Sequence, residues 1–327
     1  MNETLPSSNM VKVSPETLNS PLSNSTLTTL STATESRTIS STQLTATKPK
    51  VTQAPPNAAC YASQTPFIVN LNYSDIDFLE ENVDFIEHLL EGGSWRPAQA
   101  VSTINISIII PYRKRESHLA VFLLNVHKFL QMQNISYTIF IVNQVDDKKF
   151  NRAGLFNVGF YEAQKMNSSH DCYFFHDVDL IPDNGNLTYC CSSDAVLHYA
   201  TAIWRHSAPG EIKDYSMFFG GIVAATASQF QKANGFSNRY WGWGGEDDDF
   251  LKRVRASGQN ASNIPFADGR YVMFKHDRDK GNEPNGLRMK LLGETQKTWK
   301  SDGLNTLNYT VLSILKKKYY TEIQVSF

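Results

Sequence analysis

The sequence predicts an α/β fold with a parallel sheet, and three observations support this class. Strand and helix patterns alternate between residues 104 and 176. The strand patterns are short, rich in β-branched and aromatic residues, whereas the helix patterns are longer and repeat apolar residues at helical spacing. Clusters of polar residues follow two of the strands directly, where open α/β sheets bind their ligands. This order is the βαβαβ unit typical of nucleotide-binding folds.

Each element follows from its own pattern. The first strand is predicted at residues 104–111 (I-N-I-S-I-I-I-P), because an isoleucine-rich run ends at a proline. A helix at 117–131 follows, with leucines, a valine and a phenylalanine on one face, and 137–143 (Y-T-I-F-I-V-N) is the second strand. A helix at 153–165 leads to the third strand at 172–176, which ends directly before D-V-D. The region after residue 190 is mixed and has no clear period.

Composition narrows the class of protein. The chain has 327 residues, is 41% hydrophobic and carries a net charge of -1, so no electrostatic reason favours nucleic acid. Residues 1–57 are rich in Ser, Thr, Asn and Pro and predict a disordered stem. No apolar run is long enough to span a bilayer, and no signal peptide is visible. Nine N-x-S/T sequons nevertheless favour the secretory route, through an anchor or signal not visible in this sequence.

The four cysteines lack the spacing of a metal or redox site. In an oxidising compartment Cys172 is able to pair with either Cys190 or Cys191 across a short loop, and free buried thiols are the alternative.

The run W-G-W-G-G-E-D-D-D at 241–249 carries the strongest chemical signal. Four adjacent carboxylates repel each other unless they are solvated, paired or bound to a polar ligand. The glycines allow close approach to the backbone, and the tryptophans offer flat apolar faces for a sugar or base. An acidic turn at a helix N-terminus is the alternative. The flanking W-G-W-G-G favours a polar-ligand site with a carboxylate base.

Other motifs point to a metal and a diphosphate. Asp177 and Asp179 follow a strand, share a side if the segment is extended, and suit Mg²⁺ or Mn²⁺. His276 is placed to complete such a site, although a structural histidine is the alternative.

P-Y-R-K-R at 111–115 is either a diphosphate contact or an exposed basic turn. M-F-F-G-G at 217–221 is either a strand with a bulge or a pocket wall, and 277–288 is a polar loop able to close over substrate.

Taken together, these motifs resemble those of the β-1,4-galactosyltransferase family. The matching segments occur in the family's order across residues 60–327. They are P-Y-R-K-R-E-S-H-L, F-N-R-A-G-L-F-N-V-G-F, D-V-D-L-I-P, F-F-G-G, W-G-W-G-G-E-D-D-D, M-F-K-H-D-R-D-K-G-N-E-P-N and S-D-G-L-N-T-L-N-Y. The resemblance implies a GT-A fold at 58–327, with a nucleotide- and metal-binding half at 58–190 and an acceptor-binding half at 191–327.

The resemblance also implies a reaction. It is the inverting, Mn²⁺-dependent transfer of galactose from UDP-galactose to the 4-hydroxyl of a terminal GlcNAc on glycoproteins or glycolipids. The base removes the acceptor proton while UDP leaves from the opposite face, and nearby carboxylates favour an oxocarbenium-like centre. The implied location is the Golgi lumen, with a type II membrane anchor that is not visible in this chain.

Site residues carry over by position. The implied metal ligands are Asp179, Met273 and His276, and the implied catalytic residues are Asp247 as base with Glu246 and the mobile Trp243. The implied UDP-contacting residues are Pro111, Tyr112, Arg113, Lys114, Arg115, Phe150, Asn151, Arg152, Val178, Asp179, Trp243, His276, Asp277 and Arg278. The implied sugar-contacting residues are Tyr215, Phe218, Gly245, Glu246, Asp247, Asp248, Arg288, Met289 and Leu292.

The chain departs from the family pattern at several positions. The cysteine that usually pairs with the one matching Cys60 is replaced, so the resemblance implies Cys172–Cys191, with Cys60–Cys190 as a further possibility. Phe218 stands where a tyrosine is common, and its bulk favours UDP-galactose over UDP-GalNAc. Met289 and Leu292 replace the usual Phe and Ile of the acceptor pocket but stay apolar. The alternatives are a GalNAc donor, a xylose or glucose acceptor, or a catalytically silent glycan-binding protein.

Overall fold

A computed structural model describes residues 86, 88–98, 104–167, 169–274 and 280–327, together with the backbone of a short strand at 10–12. The predicted stem at 1–57 otherwise lies outside these residues, as does Cys60. In the described part of the chain, no helix combines the length and hydrophobicity that crossing a bilayer requires.

The described residues form a mixed α/β structure. The strands are β1 (Met10–Lys12), β2 (Ser94–Trp95), β3 (Asn105–Tyr112), β4 (Ser136–Gln144), β5 (Cys172–His176), β6 (Leu180–Pro182), β7 (Ala195–His198), β8 (Ala202–Arg205), β9 (Ala208–Asp214), β10 (Ile222–Ala225), β11 (Asn260–Asn263), β12 (Arg270–Met273), β13 (Asn308–Lys316) and β14 (Thr321–Ser326). The helices are α1 (Glu116–Met132), α2 (Arg152–Met166), α3 (Ala227–Lys232), α4 (Glu246–Ala256) and α5 (Arg288–Thr298), with a 3₁₀ turn at Leu304–Thr306.

The central sheet is built around β3. Its order is β1-β13-β14-β4-β3-β5-β10-β7-β11, with β2 also paired to β4. Strands β4 and β5 both run parallel to β3, which confirms the predicted parallel βαβαβ unit. The next strand across, β10, is antiparallel to β5, so the complete sheet is mixed. A smaller sheet of order β6-β12-β8-β9 lies beside it.

The predicted bounds of the first five elements differ from the observed ones by at most one residue at each end. The burial of successive β3 side chains on opposite faces of the sheet explains why this strand was predicted correctly. Ile106, Ile108 and Ile110 pack into the apolar cluster on one face of the sheet, whereas Ile109 packs into the cluster on the other. Because both faces are covered, the strand is a nearly continuous apolar run.

The D-V-D segment is a turn rather than an extended segment. Val178 and Asp179 form the turn between β5 and β6, and the amide of Leu180 lies 3.4 Å from the carbonyl oxygen of Asp177. Strand alternation therefore does not apply to the two aspartates. The Asp177 side chain instead pairs with Arg152, as described below.

The disulfide Cys172–Cys191 is present, with a Cα–Cα distance of 5.5 Å, as the family resemblance implied. Cys190 is also disulfide-bonded. The further possibility, a Cys60–Cys190 pair, involves a residue outside the described ranges.

The last aspartate of the acidic run holds the fold together. Asp249 is buried and forms a salt bridge with Arg253, a fully buried residue one turn later on α4, at 2.5 Å. Arg253 also forms a salt bridge with Asp302 at 3.0 Å, and the Thr295 hydroxyl of α5 donates a hydrogen bond to Asp249 at 2.5 Å. The Asp249–Arg253 pair thus joins α4, α5 and the segment before the 3₁₀ turn.

Replacing Arg253 by methionine is expected to lower the free energy of unfolding by about 3–5 kcal/mol, because two carboxylates then lose their buried counter-ion. Urea denaturation measures the change. Arg255→Met is the matched control, since Arg255 is exposed on the same helix and its loss is expected to change stability by less than about 0.5 kcal/mol. Equal effects of the two substitutions would contradict the structural role of Arg253.

Candidate active site

The candidate site lies at the carboxyl ends of β3 and β5, close to where β10 begins. Parallel α/β sheets bind ligands at this edge because the loops after successive strands meet there. The segments that converge are P-Y-R-K-R, the start of α2, the D-V-D turn, F-F-G-G and the start of α4. All of them were selected from the sequence.

The P-Y-R-K-R segment is partly buried and partly open. Pro111 and Tyr112 end β3 and are buried, and burial raises the pKa of the Tyr112 hydroxyl. The Tyr112 hydroxyl accepts a hydrogen bond from the amide of Arg115 at 3.1 Å. Lys114 is exposed and has a φ of 50°, so the chain turns sharply here. Arg113 donates to the carbonyl of Lys148 at 2.7 Å.

Phe150 joins this segment to two loops. The Arg113 guanidinium lies 5.2 Å from the centre of the Phe150 ring. The Phe150 amide donates to the carbonyl of Gly281 at 2.7 Å, and its carbonyl accepts from the amide of Gly242 at 2.8 Å. The neighbouring Asn151 caps α2, because its side chain accepts from the amide of Gly154.

Arg152 connects the D-V-D turn with the start of α4. Its Nε lies 2.6 Å from Asp177 and its Nη1 lies 3.1 Å from Glu246. Burial alone lowers the pKa of Arg152, but the charges of Asp177 and Glu246 reverse this effect, and the net pKa is raised. Arg152 is therefore a permanent cation held between two carboxyl groups.

The two carboxyl groups are less acidic than usual. Burial raises the pKa of Glu246 to about 7, with a further rise from the charge of Asp247 and an opposing effect of Arg152. Burial also raises the pKa of Asp177, again opposed by Arg152. The second oxygen of Glu246, Oε2, is buried and has no hydrogen-bond partner within the described ranges. Buried orphan oxygens are costly, so a ligand hydroxyl would fit there.

Two of the three metal-ligand candidates are neighbours. Asp179 immediately precedes β6, and Met273 pairs with Leu180 across β6 and β12. The carbonyl of Asp179 accepts a hydrogen bond from the amide of Phe274 at 3.1 Å. The backbones of these two candidates are thus close together. His276, Asp277 and Arg278 lie outside the described residues.

Asp247 occupies a narrow site against the backbone of Gly220. A Cβ atom built on Gly220 would lie only 2.2 Å from Oδ2 of Asp247. The Asp247 Oδ1 accepts a hydrogen bond from the amide of Asp248 at 2.8 Å. The Asp247 carboxylate therefore fits at this place only because residue 220 is a glycine, and the Asp248 amide fixes its other oxygen.

The backbone of Gly220 is fixed from behind by a histidine that the sequence analysis did not select. Nε2 of the buried His198 donates to the carbonyl of Gly220 at 2.9 Å, and Nδ1 lies 3.1 Å from the side-chain amide of Asn263. Asn263 in turn donates to the carbonyl of Ser216 at 2.8 Å. No local motif marks His198, because its role depends on contacts between distant strands.

The W-G-W-G-G segment approaches the polar loop closely. The amide of Trp243 donates to the carbonyl of Glu283, and the amide of Asn285 donates to the carbonyl of Trp243, each at 2.9 Å. Position 242 requires a glycine, since a Cβ atom there would lie 2.5 Å from the carbonyl oxygen of Glu283. Gly245 precedes α4 with a φ of 97°, a left-handed conformation that favours glycine.

Several of the side chains that the resemblance assigns to the sugars are exposed. The Trp243 indole is 56% exposed, and the Arg288 guanidinium lies 5.4 Å from the centre of its ring. Phe218 is 45% exposed, and its ring centre lies 5.6 Å from that of Tyr215. Met289 at the start of α5 is 70% exposed. Leu292 and Asp248 are partly exposed, and Val178 is buried in the D-V-D turn.

Two family models match the chain. Residues 60–192 match the N-terminal region of glycosyl transferase group 7, and residues 205–277 match the N-terminal domain of galactosyltransferase.

Curated relatives extend this match. Rat β-1,4-galactosyltransferase 4 is 43% identical over 251 residues, which cover 77% of this chain and 72% of the relative. Human β-1,4-galactosyltransferase 3 is 42% identical over 257 residues, which cover 78% of this chain and 64% of the relative.

Solved structures show the same fold. The catalytic domain of Drosophila β-1,4-galactosyltransferase 7 in complex with xylobiose has a TM-score of 0.58 and 32% identity, covering 69% of this chain and 94% of that one. A mutant of the same enzyme, in complex with manganese, UDP-Gal and xylobiose, also has a TM-score of 0.58, with 30% identity over the same shares. The GT-A fold implied by the resemblance is confirmed, and the chain belongs to the β-1,4-galactosyltransferase family of glycosyltransferases.

Proposed function

We propose that this protein transfers galactose from UDP-galactose to the 4-hydroxyl of a terminal GlcNAc on glycoprotein or glycolipid glycans, with inversion and with Mn²⁺. The observation that carries the proposal is the position of Asp247, which lies against Gly220 beside the Arg152–Glu246 pair. The nearby Asp179 and Met273, which we assign to the metal, support the same proposal.

The residues present fit a divalent metal bound to a diphosphate. Asp179 provides a hard oxygen ligand, and Met273 on the neighbouring strand provides a soft one. We assign these two residues to the metal, with His276 as a third ligand from outside the described residues. The bound metal would act as a Lewis acid that offsets the charge of the leaving diphosphate.

The basic residues after β3 are assigned to the nucleotide. Arg113 lies over Phe150, and both adjoin the loop carbonyl of Gly281. This guanidinium and this aromatic face support the assignment of the segment to UDP. Charge-assisted hydrogen bonds from arginine suit diphosphate oxygens.

Asp247 is assigned as the general base. Its carboxylate is held on both sides, by the Asp248 amide and by the Gly220 backbone, so it can meet the acceptor hydroxyl without reorganising. It removes the proton from the 4-hydroxyl as that oxygen bonds to the anomeric carbon. Attack and departure on opposite faces of the sugar ring produce inversion.

Glu246 is assigned to the sugar hydroxyls. Its Oε1 is paired with Arg152, and its buried Oε2 is the orphan oxygen. With a pKa of about 7, the carboxyl group can donate or accept a hydrogen bond near neutral pH. Asp177 on the other side of Arg152 holds the cation in place.

Donor choice is assigned to Phe218. Its partly exposed ring stands beside Tyr215, and a bulky side chain there leaves little room for the N-acetyl group of GalNAc. Arg288, Met289 and Leu292 are assigned to the N-acetyl group of the acceptor. The expected location is the Golgi lumen, where the Cys172–Cys191 disulfide is stable, with a type II membrane anchor that is not visible in this sequence.

A donor and acceptor matrix tests the proposal. The purified protein is assayed with UDP-galactose and UDP-GalNAc against GlcNAc, xylose and glucose, with and without Mn²⁺, and UDP release and product linkage are measured. The expected result is a β-1,4 product from UDP-galactose and GlcNAc that depends on Mn²⁺. Faster transfer to xylose than to GlcNAc would indicate that this chain acts on the type of sugar bound in the Drosophila complexes. The absence of UDP release with every donor and acceptor pair would indicate a glycan-binding protein.

A further inference from the structure

A groove between α4 and α5 begins at the candidate acceptor site. Both helices start there, since Glu246 and Asp247 open α4 and Arg288 opens α5. A cavity of about 570 Å³ lies between them, lined by Lys252, Arg255, Ala256, Leu292, Gly293 and Gln296. Leu292 belongs both to this cavity and to the pocket assigned to the acceptor N-acetyl group. The groove is therefore an extension of the acceptor site.

Two cations stand at this groove. Lys252 and Arg255 are three residues apart on α4 and both are exposed. With a rise of 1.5 Å per residue, they lie about 6 Å and about 10 Å further along the helix axis than Asp248. Within the described ranges, Arg255 forms no salt bridge, and Lys252 uses one of its three donor hydrogens on the carbonyl of Leu292 at 2.7 Å. Both cations keep donors for a ligand.

The remaining lining suits a sugar that carries a charge. Leu292, Ala256 and the backbone of Gly293 provide an apolar floor, and Gln296 adds an amide. A Cβ atom built on Gly293 would meet nothing within 4 Å, so the floor is open at that point. The only carboxylate of α5, Glu294, is paired with Arg239 at 2.7 Å and does not neutralise the groove.

We propose that this groove binds an acidic group on the sugar that follows the terminal GlcNAc of the acceptor. The group is a carboxylate, a sulfate or a phosphate, and Lys252 and Arg255 bind it by charge-assisted hydrogen bonds. The groove thereby makes the protein prefer acidic acceptors over neutral ones of the same length. This inference rests on the proposed function, because it assigns the start of the groove to the acceptor.

Matched disaccharides test the preference. The neutral probe is GlcNAcβ1-4GlcNAc. The acidic probe is GlcNAcβ1-4GlcA, whose second sugar carries a carboxylate and lacks the N-acetyl group. GlcNAcβ1-4GlcNAc carrying a 6-sulfate or a 6-phosphate on the second sugar distinguishes the three anions. The expected result is a KM about tenfold lower for at least one acidic probe, with the advantage lost at high ionic strength because exposed charges are screened.

The double substitution Lys252→Gln, Arg255→Gln is expected to remove this advantage while the KM for the neutral probe stays unchanged. Lys297→Gln is the matched control, since Lys297 is exposed on α5 but does not line the cavity. Equal KM values for all probes in the unmodified protein, or an equal effect of the double substitution on acidic and neutral probes, would overturn the proposal.

Binding of the same probes is measured by calorimetry in the presence of UDP and Mn²⁺, independently of transfer. If no probe is galactosylated but the acidic probe still binds more tightly through Lys252 and Arg255, the proposed reaction fails and the groove assignment stands. If all probes are galactosylated with one KM, the reaction stands and the groove assignment fails.

Discussion

Replacing Asp247 by asparagine is expected to lower the rate of galactosyl transfer by about 10²–10⁴-fold, the usual contribution of a general base. The amide has nearly the same shape as the carboxylate but does not accept the acceptor proton. UDP binding is expected to survive, because Asp247 is not among the residues assigned to the nucleotide. Steady-state kinetics give kcat, and calorimetry gives the affinity for UDP.

Asp194→Asn is the matched control for this substitution. Asp194 is exposed immediately before β7, at the opposite end of that strand from His198, and lies outside the site. Its change is expected to leave kcat as it is. Near-normal turnover of the Asp247→Asn protein would contradict the role of Asp247 as base.

Replacing Gly220 by alanine is expected to lower kcat by about 10²-fold, because a small displacement of a catalytic group is enough for such a loss. The new methyl carbon would stand 2.2 Å from Oδ2 of Asp247 and 3.2 Å from its Cγ. The backbone of Gly220 is held by His198, so the Asp247 side chain has to move instead.

A double-mutant cycle isolates this effect. In an Asp247→Ala background the carboxylate is absent, so Gly220→Ala is expected to cause little further loss of activity. Thermal unfolding of each variant shows whether the fold is retained. If Gly220→Ala lowers kcat by the same factor in both backgrounds, the methyl group does not act through Asp247.

The fold of the first half was predictable because its strands are buried on both faces. The isoleucines of β3 and the aromatic residues of β5 produce continuous apolar runs that few other structures accommodate. The region after residue 190 was less predictable, since its strands are only four residues long in β7, β8, β10 and β11, and pair over long separations. Such short strands carry little periodicity of their own.

The candidate site was predictable in its residue types but not in how they are divided. The acidic run looked like a single feature, yet its members face different partners. Glu246 pairs with Arg152, Asp247 lies against Gly220, and Asp249 is buried with Arg253. Helical geometry separates neighbours by about 100° per residue, so adjacent side chains diverge once α4 begins.

Asp177 and His198 illustrate what no local pattern reveals. The D-x-D pattern predicted that Asp177 binds a metal, whereas the side chain of Asp177 pairs with Arg152, which lies 25 residues earlier in the chain. His198, at the end of β7, donates a hydrogen bond to the carbonyl of Gly220, just before β10, and no sequence motif marked it. Both contacts depend on the tertiary arrangement of the sheet.

The two backbone hydrogen bonds between Trp243 and the Glu283–Asn285 segment have a thermodynamic consequence. Ordering a loop costs conformational entropy for each residue that becomes fixed. Because the tryptophan segment and the polar loop are already bonded to each other, and both are bonded to Phe150, they restrict each other's motion before any substrate arrives. A ligand that fixes one of them therefore loses less binding free energy in fixing the other.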